Sequence, residues 1–366
     1  MSIGEAFGKF LGEVNKEESF KLLDTYYESG GNFIDTANSY QDEKSEQWLG
    51  EWMEGRGIRD QIALATKYTN AHKQYQIKDS EHAICANYGG NHALHISVRD
   101  SLQKLRTDYM DILYVHLWDY TTSVEEVMQS LDVMVKSGKV LYLGISDTPA
   151  WIVSKANQYA RAHALTPFAV HQGLWNVMVR DFEREIIPMC VEEGLALAPW
   201  GTAGSGRFKP KAVIEQRKKN NEPIRSFTGE EVTAQEEKVS AALEKIGREV
   251  GGSITSVAIA YCLQRCSYVF PIVGGRKVEH LLDNVKALDI ALSKEQLEYL
   301  ESQTPFDPGF PHNLIGVDPQ YLGETQIYTM KMYLNMELGQ TSLCHLSCFA
   351  AKEYPSASSA AFPAHA

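Results

Sequence analysis

Short apolar runs recur along the chain with room for a helix between them, and this alternation constrains the fold more than any other feature. The runs are NFID at 32–35, IALATK at 62–67, MDILYVH at 110–116, VLYLGIS at 140–146, FAVHQ at 168–172, LALAPW at 195–200 and YVFPIV at 268–273. Near-continuous apolar runs of this length read as strands buried on both faces. Between two of them, Val124, Val127, Met128, Leu131, Met134 and Val135 share one face of a helix. Ser123 with Glu126 three positions on offers that helix a capping box, and Thr148 before Pro149 marks another start. Strand and helix in turn predict a parallel sheet covered by helices, either doubly wound or closed into a barrel.

No Gly-x-Gly-x-x-Gly fingerprint follows an early strand, and Gly201, Gly204 and Gly206 come late and in the wrong frame. That weighs against the doubly wound dinucleotide fold. The long intervals 68–93 and 201–230 both follow strands, where a barrel carries its catalytic rim. A closed eight-stranded barrel needs one more strand before residue 32, where the sequence offers little, so the first strand is expected to be cut short. From residue 325 the alternation stops and the chain ends PSASSAAFPAHA. The expected organisation is therefore a barrel domain over 1–318 and a largely disordered C-terminal extension over 319–366.

Composition narrows the partners. Against 35 Lys and Arg, the 47 Asp and Glu give a net charge of −12, which repels a phosphate backbone and argues against nucleic acid. The N-terminus lacks the apolar core of a signal peptide and no apolar run is long enough to span a bilayer, so a cytoplasmic protein without a membrane partner is expected. Six cysteines in 366 residues are too sparse for a disulfide framework and read as thiols. Cys344, His345 and Cys348 have no second ligand pair nearby, so no metal is expected. Nothing in the sequence sets an oligomeric state.

The chemistry lies at the strand ends. Asp35, Lys67 and His116 close three successive apolar runs, and Tyr40 follows Asp35 by five residues. Side-chain alternation puts Phe33 with Asp35, Ala65 with Lys67, and Tyr114 with His116 on common faces, and small alanines leave room for a lysine stem. In a parallel barrel the carboxyl ends converge, so these four groups are expected to meet. A tyrosine that gives a proton near neutral pH needs a neighbouring cation, and a lysine held by an aspartate supplies one. Singly each residue has an ordinary structural explanation; together they point to carbonyl reduction.

FIDTANSYQDEKSE, LATKY, DILYVHLWDY, GKVLYLGISD and PIVGGRKVEHLLDN together resemble the aldo-keto reductases over about residues 1 to 318. GGNFIDTAN, VLYLGISDTPAW, QGLWNVM and GGRKVEHL are most similar to the fungal aryl-alcohol dehydrogenase and norsolorinic acid reductase-like branch. The resemblance implies an α/β fold of the (β/α)8 TIM-barrel type that binds NADP(H) and moves a hydride to or from a carbonyl carbon. By motif position it implies Tyr40 as proton donor, Lys67 and Asp35 lowering its pKa, and His116 orienting the carbonyl oxygen. Ser146, Asp147 and Gln172 are implied near the carboxamide and Trp200 as the stacking platform, with Gly201 and Arg207 in the following loop. Asp147 stands where many relatives carry Asn. The segment Gly274 to Asn284 matches the adenosine and phosphate region, with Arg276 and Lys277 suited to a 2′-phosphate and His280 replacing a frequent Gln or Arg.

Trp118, Tyr120 and Trp175 follow strand ends and are expected to line an aromatic substrate pocket. The expectation is an NADP-dependent oxidoreductase that reduces an aromatic aldehyde or ketone, with alcohol oxidation as the reverse. The contrasting expectation is a non-catalytic NADPH-binding homologue. A place in secondary metabolism follows only from the branch resemblance.

Overall fold

The computed structural model describes residues 3–8, 13–70, 90–220 and 231–315. The strands are β1 (Phe33–Asp35), β2 (Ala63–Tyr68), β3 (Met110–Val115), β4 (Val140–Ser146), β5 (Phe168–Gln172) and β6 (Ala196–Leu197). They form one parallel sheet in the order β1-β2-β3-β4-β5-β6. The helices are α1 (Lys16–Glu28), α2 (Lys44–Arg56), α3 (Asn91–Leu105), α4 (Val124–Lys136), α5 (Ala150–Ala162) and α6 (Ile186–Glu193). Beyond β6 come α7 (Lys211–Lys219), α8 (Ala234–Val250), α9 (Ile254–Arg265), α10 (Val278–Val285), α11 (Lys294–Ser302) and α12 (His312–Ile315). A helix follows each of β1 to β5, as a parallel crossover requires.

The sheet is strongly curved. In a flat sheet, strands four places apart lie about 19 Å from one another. Yet Gln172 at the end of β5 donates to Asp35 at the end of β1 across 2.9 Å. Inside the curve, Ala65, Tyr114, Val170 and Ala198 pack into one cluster. A Cβ at Gly144 would sit 2.4 Å from the Tyr114 ring, so β4 carries glycine where that ring crosses it. Outside, the larger core packs β3, β4 and β5 against α4, α5 and α9 through Met128, Leu131, Leu143, Ile145, Val153 and Ile259.

Two sequence expectations change here. The run 268–273 is not a strand of the sheet: Val269 makes an isolated parallel bridge to Leu197, with further backbone bonds from Phe270 to Leu197 and from Ile272 to Pro199. Pro199 removes an N–H that a longer ladder with β6 would use, and Pro271 removes one from the opposite edge of the run. Secondly, among the described residues no pairing joins β1 to this run, so the closed barrel resolves to a six-stranded arc. Gly4 bridges Val14 in antiparallel fashion rather than pairing with β1. The helix start marked by Thr148 and Pro149 forms as α5, with Pro149 at the cap and the Thr148 hydroxyl turned back to the carbonyl of Ser146 at 2.8 Å. The Ser123 cap forms, accepting from the Glu126 N–H at 3.1 Å. The reciprocal arm is absent from α4's bonds, and the Glu126 carboxylate instead accepts from the N–H of Asn91. Cys85, the Cys344–His345–Cys348 run and the extension 319–366 lie outside the described residues.

The helix pair α2 and α3, which flanks β2, meets at Gly50. A Cβ there would fall 2.2 Å from the carbonyl oxygen of Lys104, which is backbone and cannot rotate away. Gly50→Ala is expected to cost about 1–3 kcal/mol through overpacking, although alanine is the better helix former. Urea unfolding reads this directly, and an unchanged midpoint would contradict the tight crossing.

Candidate active site

Alternation along each strand puts a polar side chain at its carboxyl end on the concave face. Lys67 is the centre of the group. Its side chain is 0% exposed, and its ammonium donates to Asp35 Oδ2 at 2.6 Å and to the carbonyl of Thr36 at 2.7 Å. The same nitrogen lies 5.2 Å from the Tyr40 ring centre and 5.4 Å from that of Tyr114. The other oxygen of Asp35 accepts from Gln172. Tyr40 Oη is 3.5 Å from His116 Nε2, and the two rings meet edge to face. The four residues expected to converge therefore do so.

Burial controls their charge. Desolvation lowers the Lys67 pKa, and the carboxylate of Asp35 opposes that effect. His116 is held down to about 3, first by burial and then by the Lys67 ammonium, so it is neutral near pH 7. Its Nδ1 lies 3.1 Å from the amide nitrogen of Asn70, which can only donate. The imidazole proton is thereby assigned to Nε2, facing Tyr40. Sequence reasoning passed over Asn70; its only signal was its place three residues beyond Lys67.

Tyr40 differs from expectation. Its pKa is raised, not lowered, because burial comes first and the carboxylates of Asp35 and Asp147 add to it. The phenol is thus protonated near neutral pH.

Beside this group, Ser146, Asp147, Gln172 and Trp200 form a polar shelf. Asp147 sits at φ +43°. Its Oδ1 accepts from Trp200 Nε1 at 3.2 Å and its Oδ2 from Ser146 Oγ at 3.4 Å. Burial raises the Asp147 pKa, while the bonds from Trp200 and Ser146 and the Lys67 charge pull the other way. The indole of Trp200 is half-buried. Gly201 follows at φ +71°, and its carbonyl accepts from Asn176 at 3.0 Å.

The remaining candidates are placed elsewhere. Gly274, Arg276, Lys277 and His280 are exposed at the start of α10, while Asn284 is buried farther along it. His280 titrates below its ordinary value through burial, with Lys209 and Lys277 adding to the effect. Among the described residues, neither Arg276 nor Lys277 has a carboxylate partner. Arg207, by contrast, is held by Glu236, which also closes the Thr233 capping box of α8. Trp175 does not line a pocket: it is fully buried between Phe182 and Tyr261 and donates to Glu183 at 3.2 Å. Tyr120 is 68% exposed at the rim, and Trp118 packs partly against the outer core.

The neutral His116 sets a pH dependence. Its folded value near 3 lies below its ordinary value of 6.5, so between the two the unfolded chain takes up a proton that the folded chain refuses. That contribution to stability is present above pH 6.5 and is lost as pH falls through the folded value near 3. His116→Gln is expected to make the fall in stability shallower by about 1.4 kcal/mol per pH unit between about pH 6 and pH 4. Urea unfolding at several pH values checks it, and parallel slopes for the two proteins would contradict the assignment.

Comparison with known proteins places this geometry. The sequence model of the Aldo/keto reductase family matches residues 1–304. A probable aryl-alcohol dehydrogenase of Saccharomyces cerevisiae is 56% identical over 87% of this chain and 97% of its own length. The aryl-alcohol dehydrogenase [NADP(+)] of Phanerodontia chrysosporium is 54% identical over 88% of this chain and 85% of its own. Norsolorinic acid reductase B of Dothistroma septosporum is 54% identical over 86% and 79%. Among the described residues no helix is long and apolar enough to cross a membrane. With a Tyr, Lys, Asp and His meeting at the strand ends and a family match across most of its length, the chain belongs to the aldo/keto reductase family of oxidoreductases.

Proposed function

We propose that the chain reduces an aromatic aldehyde or ketone with NADPH, alcohol oxidation being the reverse reaction. The observation that carries this is the fully buried Lys67 paired with Asp35 beneath Tyr40, with His116 beside it. A lysine is kept dry and paired at a strand end where a phenolate forms once per turnover. His116 Nε2–H fixes the carbonyl oxygen, Tyr40 Oη gives it a proton, and the Lys67 ammonium stabilises the phenolate left behind. Asp35 holds Lys67 and Gln172 in register.

The residues present fit the dinucleotide. Ser146, Asp147 and Gln172 offer donors and acceptors for a carboxamide beside the Trp200 indole, and Arg276 and Lys277 are exposed cations suited to a phosphate monoester. When bound, the nicotinamide supplies the hydride to the carbonyl carbon. The exposed ring of Tyr120, the half-buried ring of Trp118 and the likeness to aryl-alcohol dehydrogenases favour an aromatic substrate. We read the six-stranded arc as part of an eight-stranded barrel within a domain over 1–318, and the norsolorinic acid reductase relative favours a place in secondary metabolism.

Loss of NADPH absorbance with a panel of aromatic aldehydes tests the reading. Tyr40→Phe is expected to lower turnover about 10²–10⁴-fold while NADPH still binds, as removal of a general acid does. Tight NADPH binding by the unaltered chain without turnover of any aldehyde would favour a binding protein instead.

A further inference from the structure

Tyr40 is followed by three consecutive non-glycine residues in the left-handed region: Gln41 at φ +56°, Asp42 at +51° and Glu43 at +73°. Such a run is unfavourable for L-residues and persists only where the surroundings hold it. It lies between Tyr40 and the start of α2, so any relaxation there re-aims the phenol.

Gln41, fully buried, accepts at its Oε1 from the N–H of Phe7 at 2.8 Å, and the other surroundings that hold the run are on α3. Ser97 and Lys104 are seven residues apart, close to two helical turns, and therefore share the face turned toward this loop. Ser97 Oγ accepts from Asn38 at 3.3 Å, two residues before Tyr40. Lys104 Nζ contacts Glu43 Oε1 at 2.8 Å, three residues after it, and Glu46 Oε2 at 2.7 Å. All three side chains are dry, at 10%, 7% and 0% exposure for Lys104, Glu43 and Glu46. The other oxygen of Glu46 accepts from Thr66 at 2.6 Å, one residue before Lys67. One ammonium on α3 thus ties together the loop that carries Tyr40 and the strand that carries Lys67.

We propose that the buried Lys104–Glu43 ion pair is a positioning clamp for Tyr40, holding the left-handed run so that the phenol faces His116 and Lys67. Neither residue touches the reacting atoms. The proposal rests on reading Tyr40 as the proton donor, and its test separates the two ideas.

Glu43→Ala is the informative variant, because Lys104 keeps Glu46 as its partner. In the ligand-free full chain, hydrogen exchange reads the amides of Tyr40, Lys44 and Ser45, which bond to the carbonyls of Ala37, Gln41 and Tyr40. These are expected to exchange at least about tenfold faster in Glu43→Ala, with the β3 amides unchanged, because the opening is local. Turnover of an aromatic aldehyde is expected to fall about tenfold with less than about a twofold change in NADPH affinity. Placed on Tyr40→Phe, the same substitution is expected to change turnover less than about twofold, since both act through one group. Lys104→Arg is expected to retain the clamp. Unaltered exchange at 40–45, or an equal loss in the Tyr40→Phe background, would overturn the clamp. Full turnover by Tyr40→Phe alone would instead sink the proton-donor reading, and the exchange result would still decide the clamp.

Discussion

A lysine ammonium with no exposed side-chain surface is the constraint around which this molecule is arranged. Removing a charge from water costs several kcal/mol unless a partner and further hydrogen bonds replace the lost hydration. Lys67 finds both in the Asp35 carboxylate and the Thr36 carbonyl. Asp35 stands on β1 and also accepts from Gln172 on β5, so satisfying the lysine's partner requires the sheet to curl. Fold and site are in this sense one problem. The curvature that brings Asp35 to Gln172 also sets Ser146, Asp147 and Trp200 beside Tyr40 and His116.

The chemistry follows from which groups the burial leaves charged. His116 is too desolvated to ionise near neutral pH, and Asn70 assigns its proton to Nε2. Tyr40 is pushed above its ordinary value, so it stands ready as a protonated acid. The cation needed after proton release is already in place 5.2 Å from its ring. A site with a neutral imidazole, a protonated phenol and one dry ammonium is suited to giving a single proton to an oxygen that is gaining charge.

Much of this was legible in the sequence because strand alternation is a strict period. Asp35, Lys67 and His116 could be put on one concave face from the apolar runs alone, and the Ser123 cap from its spacing to Glu126. What was not legible depended on contacts between distant segments. Asn70 and Lys104 have no local pattern that marks them. Trp175 was misread because following a strand end does not say which face a ring takes, and here it turns into the core. The seventh run has strand composition, but Pro199 opposite it lacks the N–H that would continue the ladder, and Pro271 lacks one on the run's other edge. The direction of the Tyr40 shift was missed because it depends first on how deeply tertiary packing buries the phenol and then on two carboxylates, Asp35 and Asp147, that add to the rise. Arg207, read as a cofactor ligand by position, has a carboxylate partner in Glu236 that only tertiary structure reveals.

The central claim is that these residues direct a hydride to a carbonyl carbon while Tyr40 supplies the proton from the protein side. Isotope labelling tests it most directly: the enzyme is given an aromatic aldehyde with NADPH deuterated at one face of nicotinamide C4, and the alcohol is examined by mass and NMR. The account predicts carbon-bound deuterium at the carbinol position from one of the two C4-labelled cofactors only, and none at that carbon when the label is in the solvent. Deuterium entering the carbinol carbon from solvent, or equal transfer from both labelled faces, would contradict it.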